Sequence, residues 1–173
     1  GNKLSSGMGF RKLLDETDPD EFDGSNFVEI GSDGNVNSKK YFDYLTKNEV
    51  SIFPIKMIRD SIIKNNDIKH VMKTAFSIAS KETRAVFASL DIDSVASNDA
   101  PACSFPNPNG FSTDDISRIA HAAGNNEIVN YFDIVEVNPR FDIDHRTSRL
   151  CARIISCFLT GYKQRLERLK QVK

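Results

Sequence analysis

Val86-Phe87-Ala88-Ser89-Leu90-Asp91-Ile92-Asp93 and Tyr131-Phe132-Asp133-Ile134-Val135-Glu136-Val137-Asn138-Pro139 are two short apolar runs that each end in carboxylates. Both read as strands, and parallel strands would deliver their acids to one rim. In open α/β sheets ligands bind in the crevice beyond the carboxyl ends of the strands, where chemistry is usually done. Half of a metal site is the first reading of these acids.

Outward from these runs, short apolar segments alternate with longer amphipathic ones, the rhythm of a mostly parallel sheet with helices on both faces. The fold class is therefore α/β. Further strands are expected at Phe27 to Ile30 and Val50 to Phe53, and the last one is expected over Ile128 to Val137, open to an interruption near Tyr131. Helices are expected over Ser38 to Lys47, Lys56 to Asn65 and Ile68 to Lys81, the last two separated by Asn65-Asn66-Asp67. Ser112 is an N-cap with Asp114 and Asp115 in the first turn, opening a helix to about Ala123 with Gly124 as its stop. From Thr147 to Leu169 the apolar positions Leu150, Ile154, Phe158, Tyr162, Leu166 and Leu169 recur at helical spacing, so this longest helix should pack on the sheet. Its end, Lys163 to Lys173, is rich in Lys and Arg and reads as a solvated face that complements the helix C-terminus.

The chain has 173 residues, enough to bury a real core as one domain or the larger part of one, and no repeat or linker marks a second. With 23 Lys plus Arg against 24 Asp plus Glu, no global field recruits nucleic acid or an anionic membrane. No apolar run approaches the roughly 20 residues of a spanning helix, and the N-terminus lacks the order of a secretory signal, so a cytosolic protein with no membrane partner is expected. Cys103, Cys151 and Cys157 match no zinc or redox spacing and read as buried or loop thiols.

In a strand, residues two apart point to the same face, so Asp91 and Asp93 would present both carboxylates on one side with Cα atoms roughly 6.5 Å apart. Two-metal hydrolytic sites hold ions about 3.5 to 4 Å apart, close enough for one carboxylate to bridge and the next to complete a shell. Hard oxygen ligands favour manganese or magnesium over zinc. Acids at strand ends also cap helices and solvate turns, so Asp-x-Asp alone leaves both readings open. Glu136 should lie at a strand end, where a planar amidine or guanidine cation would match it bidentately. A helix cap or an ion pair with Arg140 is the competing reading.

Three motifs in order resemble the arginase, or ureohydrolase, superfamily of manganese hydrolases. Ser89-Leu90-Asp91-Ile92-Asp93 resembles its Ser-Phe-Asp-x-Asp metal motif; Ala100-Pro101-Ala102 with Pro106 and Gly110 resembles the loop that follows; Glu136-Val137-Asn138-Pro139 resembles its Glu-x-Asn-Pro. Ser5-Ser6-Gly7-Met8-Gly9-Phe10-Arg11 and Asn37-Ser38-Lys39-Lys40-Tyr41-Phe42-Asp43-Tyr44 are most similar to the formimidoylglutamase branch, as is Ala96-Ser97 in place of Asp-Pro after the metal motif. The resemblance implies a three-layer α/β/α sandwich and hydrolysis of a C–N bond by a hydroxide bridging two Mn²⁺ ions. The substrate would be N-formimidoyl-L-glutamate, giving glutamate and formamide in histidine breakdown. By position, Asp91 would bridge both metals, Asp93 would bind one, Glu136 would orient the formimidoyl group, and the loop around Asn107 and Asn109 would line the pocket. Homo-oligomerisation is implied by analogy.

Two departures accompany the resemblance. The family's Gly-Gly-x-His and Asp-Ala-His-x-Asp motifs lie N-terminal to the region matched here, and neither is present; His70, His121 and His145 stand in no similar context and read as structural or exposed. Ser5 falls where many relatives have a proton-shuttling His, a role serine does not fill at neutral pH. The chain is thus expected to be the C-terminal portion of an arginase-like domain, with a raw sheet edge and an uncovered face. Two alternatives stay open: an arginase- or agmatinase-type ureohydrolase acting on another guanidino compound, and a non-catalytic arginase-like protein.

Overall fold

The computed structural model describes residues 9–65 and 68–171. Two parallel pairs of strands organise it. β1 (Val28–Ile30) pairs with β2 (Ser51–Phe53), and β3 (Val86–Asp91) pairs with β4 (Val129–Val135). Among the described residues no ladder joins the two pairs. The helices, in chain order, are α1 (Gly9–Glu16) before β1, α2 (Lys39–Lys47) between β1 and β2, α3 (Ile55–Asn65) and α4 (Ile68–Ala79) between β2 and β3, α5 (Thr113–Asn125) between β3 and β4, and α6 (Arg146–Gln171) after β4. Helices and parallel strands follow the expected α/β rhythm; α1 was not foreseen, because its eight residues carry too short an apolar pattern to stand out.

Every strand places its C-terminal end next to a loop, and the alternation along each strand fixes what covers its faces. On β3 and β4, Leu90 and Phe132 face the helices: Leu90 is buried in a core with Ile116, Leu150 and Ile154, and Phe132 stacks on Phe158 of α6 at 4.4 Å between ring centroids. The opposite face carries Phe87, 53 % exposed, and Tyr131, 66 % exposed, with no helix over it among the described residues. On β1, Ile30 packs into that same core while Glu29 faces the other way and accepts a hydrogen bond from Tyr41 of α2. Helices thus flank both faces of the first pair and one face of the second, which is the expected uncovered face. The ladder between β3 and β4 is irregular: Val86 aligns with Val129 but Phe87 with Tyr131, leaving Asn130 as an extra residue where an interruption was expected.

Three helical expectations change. Gly124 does not end α5, which runs to Asn125 and is closed by Asn126 donating its N–H to Ala123 O. Instead Gly124 and Gly161 let α5 and α6 touch backbone to backbone; a Cβ on Gly124 would lie 2.0 Å from Phe158 O, and one on Gly161 2.2 Å from His121 O. The stripe of α6 also splits. Leu150 and Ile154 are buried, but Tyr162, Leu166 and Leu169 are exposed, the helix turning Gly161 and Arg165 inward instead. Arg165 is therefore not part of a solvated basic face: it donates to Asn126 O and to Val129 O (2.9 Å), fastening the turn between α5 and β4. Ser112 caps α5 as expected, in a reciprocal box with Asp115. All three cysteines are free thiols, Cys103 buried and Cys151 and Cys157 half-buried on α6. No helix among the described residues is long and apolar enough to cross a membrane.

Candidate metal centre

β3 ends at Asp91, and the chain then turns into a 3-10 segment, Ile92–Ser94. Asp93 is thus not a strand residue, and strand spacing does not set the distance between the two acids. The turn does: Asp91 caps it, its Oδ1 accepting the N–H of Asp93 at 2.8 Å. Ile92, fully buried, anchors the turn in the core and leaves the flanking acids at the rim. Asp93 Oδ1 in turn accepts the N–H of Phe105 at 3.3 Å, joining it to the following loop.

β4 ends one residue before Glu136, which adopts a left-handed backbone, φ 63°. For a residue with a Cβ this conformation is uncommon and is kept only where surrounding contacts impose it. Those contacts are visible: Val137 bridges Cys103, and Asn138 donates its N–H to Ala102 O at 2.9 Å. Ala102 itself donates to the fully buried Thr147 hydroxyl at 3.0 Å, so the start of α6, the loop after β3 and the end of β4 form one zipped unit. The cap reading for Glu136 belongs to its neighbour, since Asn138 accepts the N–H of Arg140, and no ion pair among the described residues joins Glu136 to Arg140.

Burial, then the like charges of Asp93 and Glu136, push the Asp91 carboxyl up to about 6, against the opposing pull of its hydrogen bond from the Asp93 N–H. Asp91 therefore feels the charges of both other acids. A divalent ion held by Asp91 and Asp93 would remove that repulsion, so the oxygen donors present fit a hard cation. They do not complete its shell: among the described residues no group of three or more His, Cys, Asp or Glu side chains stands ready to hold an ion. His70 lies on α4, His121 on α5, and His145 ends a 3-10 turn before α6; none joins the acids. Ser5 lies outside the described residues.

Asn107 is buried, and its side chain accepts the N–H of Asn109 at 2.9 Å. The Asn109 amide is engaged at both ends, its Nδ2 donating to Asp33 at 2.9 Å and its Oδ1 accepting from Arg59. Sequence reasoning passed over Asp33, Arg59, Glu29 and Tyr41. Glu29, an acid inside the apolar run Phe27 to Ile30, was the one visible signal. Burial raises its carboxyl, Tyr41 draws it down, and Asp91 raises it again, placing it electrostatically beside Asp91. Cys103 stands there too: burial first, then Asp93, pushes its thiol up to about 11, so it is not a ready thiolate ligand at neutral pH.

Comparison with known proteins gives this rim its context. A curated formimidoylglutamase from Bacillus subtilis (strain 168) is 29 % identical over 159 residues, 92 % of this chain and 47 % of the relative. The crystal structure of formimidoylglutamase from Bacillus subtilis superposes with a TM-score of 0.84 at 28 % identity, covering 95 % of this chain and 49 % of that one. The crystal structure of Trypanosoma cruzi formiminoglutamase with two Mn²⁺ gives 0.81 at 26 % identity, covering 92 % and 50 %. The chain spans about half the length of the relatives it matches. The profile described as Arginase family matches residues 1–161, and the chain belongs to the arginase family.

Proposed function

We propose that this chain contributes one side of the site of a manganese-dependent hydrolase that cleaves a C–N bond in an amidine or guanidine, with N-formimidoyl-L-glutamate as the substrate. The observation that carries the reading is the Asp91 carboxyl at the end of β3, pushed up to about 6 by burial and by the charges of Asp93 and Glu136. Asp91 and Asp93 would hold manganese, and Glu136 would accept hydrogen bonds from the planar cationic end of the substrate and orient it. Manganese supplies Lewis acidity and a water made nucleophilic at neutral pH. The zipped loops on either side would fix the backbone that carries these acids before substrate arrives, which lowers the reorganisation needed during the reaction. The loop bearing Asn107 and Asn109 would border the pocket. The similarity to formimidoylglutamases supports this substrate over arginine or agmatine. A small-molecule substrate, a cytosolic setting and a homo-oligomer belong to the same reading.

The test is a hydrolysis assay on the longest native form of the protein, loaded with Mn²⁺, against N-formimidoyl-L-glutamate, L-arginine and agmatine in parallel. Glutamate and formamide release at least about 100-fold above the other two in kcat/KM, near 2.7 kcal/mol of discrimination, is the expected result. Preference for a guanidine would move the protein to another branch of the family, and no turnover of any of the three would favour a non-catalytic relative.

A further inference from the structure

The loop from 104 to 110 is tied down at both ends by carboxylates from different elements. At one end the Phe105 N–H donates to Asp93 Oδ1 (3.3 Å). At the other the Asn109 side chain donates to Asp33, a residue 5 % exposed in the loop after β1. Asp33 is itself fixed: its Oδ1 accepts the N–H of Asn35 (2.9 Å) and the Asn35 side chain (3.2 Å), and its own N–H donates to the Asn37 side chain (2.9 Å). From the far side, Arg59 of α3 donates to Asn109 Oδ1, to Asn109 O (3.3 Å) and to Gly110 O (2.9 Å).

This arrangement leaves no ambiguity in how the amide of Asn109 is turned. A guanidinium only donates and an ionised carboxylate only accepts, so the oxygen must face Arg59 and the nitrogen Asp33. Those donors also hold the Asp33 carboxyl below its ordinary range, keeping it an acceptor. With both ends of its amide engaged inside the fold, the Asn109 side chain is held in one orientation.

We infer that Arg59 and Asn109 are positioning residues, a clamp that locks the loop 104–110 onto the β1 loop and thereby sets, through the Phe105 N–H, where the Asp93 carboxylate points. Only the last step rests on the proposed function, since it takes Asp93 as a manganese ligand. Groups that orient a ligating carboxylate typically change metal affinity 10- to 100-fold when lost.

The clamp has a reciprocal test. Asn109→Asp sets a carboxylate against Asp33, whereas the swap Asp33→Asn with Asn109→Asp restores one amide and one carboxylate and leaves Arg59 an acceptor. Amide hydrogen exchange of residues 105–111 and 31–37 should rise at least about 10-fold in both loops together in the single variant and return to within about 3-fold of wild type in the swap. Manganese affinity should fall at least about 10-fold in the single variant and recover in the swap. Unchanged exchange in Asn109→Asp, or a swap as open as the single variant, would overturn the clamp. Because exchange needs no metal, a wild-type protein that takes up no manganese fails the reading of Asp93 while the exchange result still decides the clamp.

Discussion

The two parallel strand pairs treat their acids in opposite ways. At the first pair, Glu29 is met by the Tyr41 hydroxyl and Asp33 by the Asn35 and Asn109 donors. At the second pair, Asp91 and Asp93 each accept a backbone N–H, and the charges of Asp93 and Glu136 both act on Asp91. A carboxylate matched by side-chain donors within the fold has little call for an external cation; a set of carboxylates left to repel one another is stabilised by one. The two strand pairs thus separate acids matched by side-chain donors from acids set against like charge. Charge compensation, rather than the number of acids, marks which strand ends carry chemistry.

The contrast is broken most severely at Asp91. In the longest native form, Asp91→Asn is expected to lower manganese-dependent turnover at least about a thousandfold, some 4 kcal/mol, as measured by kcat/KM. The same substitution in the metal-free chain removes a repelled carboxylate and should raise stability at pH 7.5 by about 1 kcal/mol, the value discounted for the group's partial exposure to solvent, as measured by urea titration. Loss of activity with a gain in metal-free stability would separate a metal ligand from a structural acid.

At the other pair the sign reverses. Tyr41→Phe removes the donor from half-buried Glu29 and should destabilise the chain by about 1–2 kcal/mol, read as a lower denaturation midpoint with an unchanged slope. A neutral Tyr41→Phe would mean that Glu29 is solvated and the proposed difference between the pairs is false.

The pH dependence sharpens the comparison further. A carboxyl raised in the folded state binds more protons there than when unfolded, so Asp91 should make the metal-free chain gain stability as pH falls from about 6 towards its ordinary value near 4, and lose it again as pH rises. Asp91→Asn should flatten that slope, and manganese uptake should weaken below about pH 6 because ligation requires the ionised form. The smallest effect belongs to charges in open solvent: Asp114→Asn, which removes the exposed pair with Arg118 on α5, should shift stability by no more than about 0.5 kcal/mol.

Strand ends and their acids were legible because they are local: a run of β-branched and aromatic residues closed by Asp-x-Asp, or by Glu-x-Asn-Pro, declares itself within ten residues. What sequence could not show was set by partners far along the chain. Asp93 leaves the strand because Ile92 is pulled fully into the core, which turns the backbone before the second acid. Gly124 resembles a helix stop until the backbone of α6 is laid against it. Arg165 resembles its solvated neighbours until two carbonyls at the head of β4 capture it. Nor does the sequence around Asn109 show that Arg59 and Asp33, fifty and seventy-six positions away, hold its amide.

If Asp91, Asp93 and Glu136 form one cation-attracting rim, trace Mn²⁺ should settle there, and paramagnetic line broadening detects even a weak, incomplete site. At pH 7.5, amide signals of residues 91–93, 103–105 and 136 should broaden first and together, and Asp91→Asn should abolish the effect. Broadening that begins instead at exposed acids such as Asp114 and Asp115, or that survives Asp91→Asn unchanged, would contradict it.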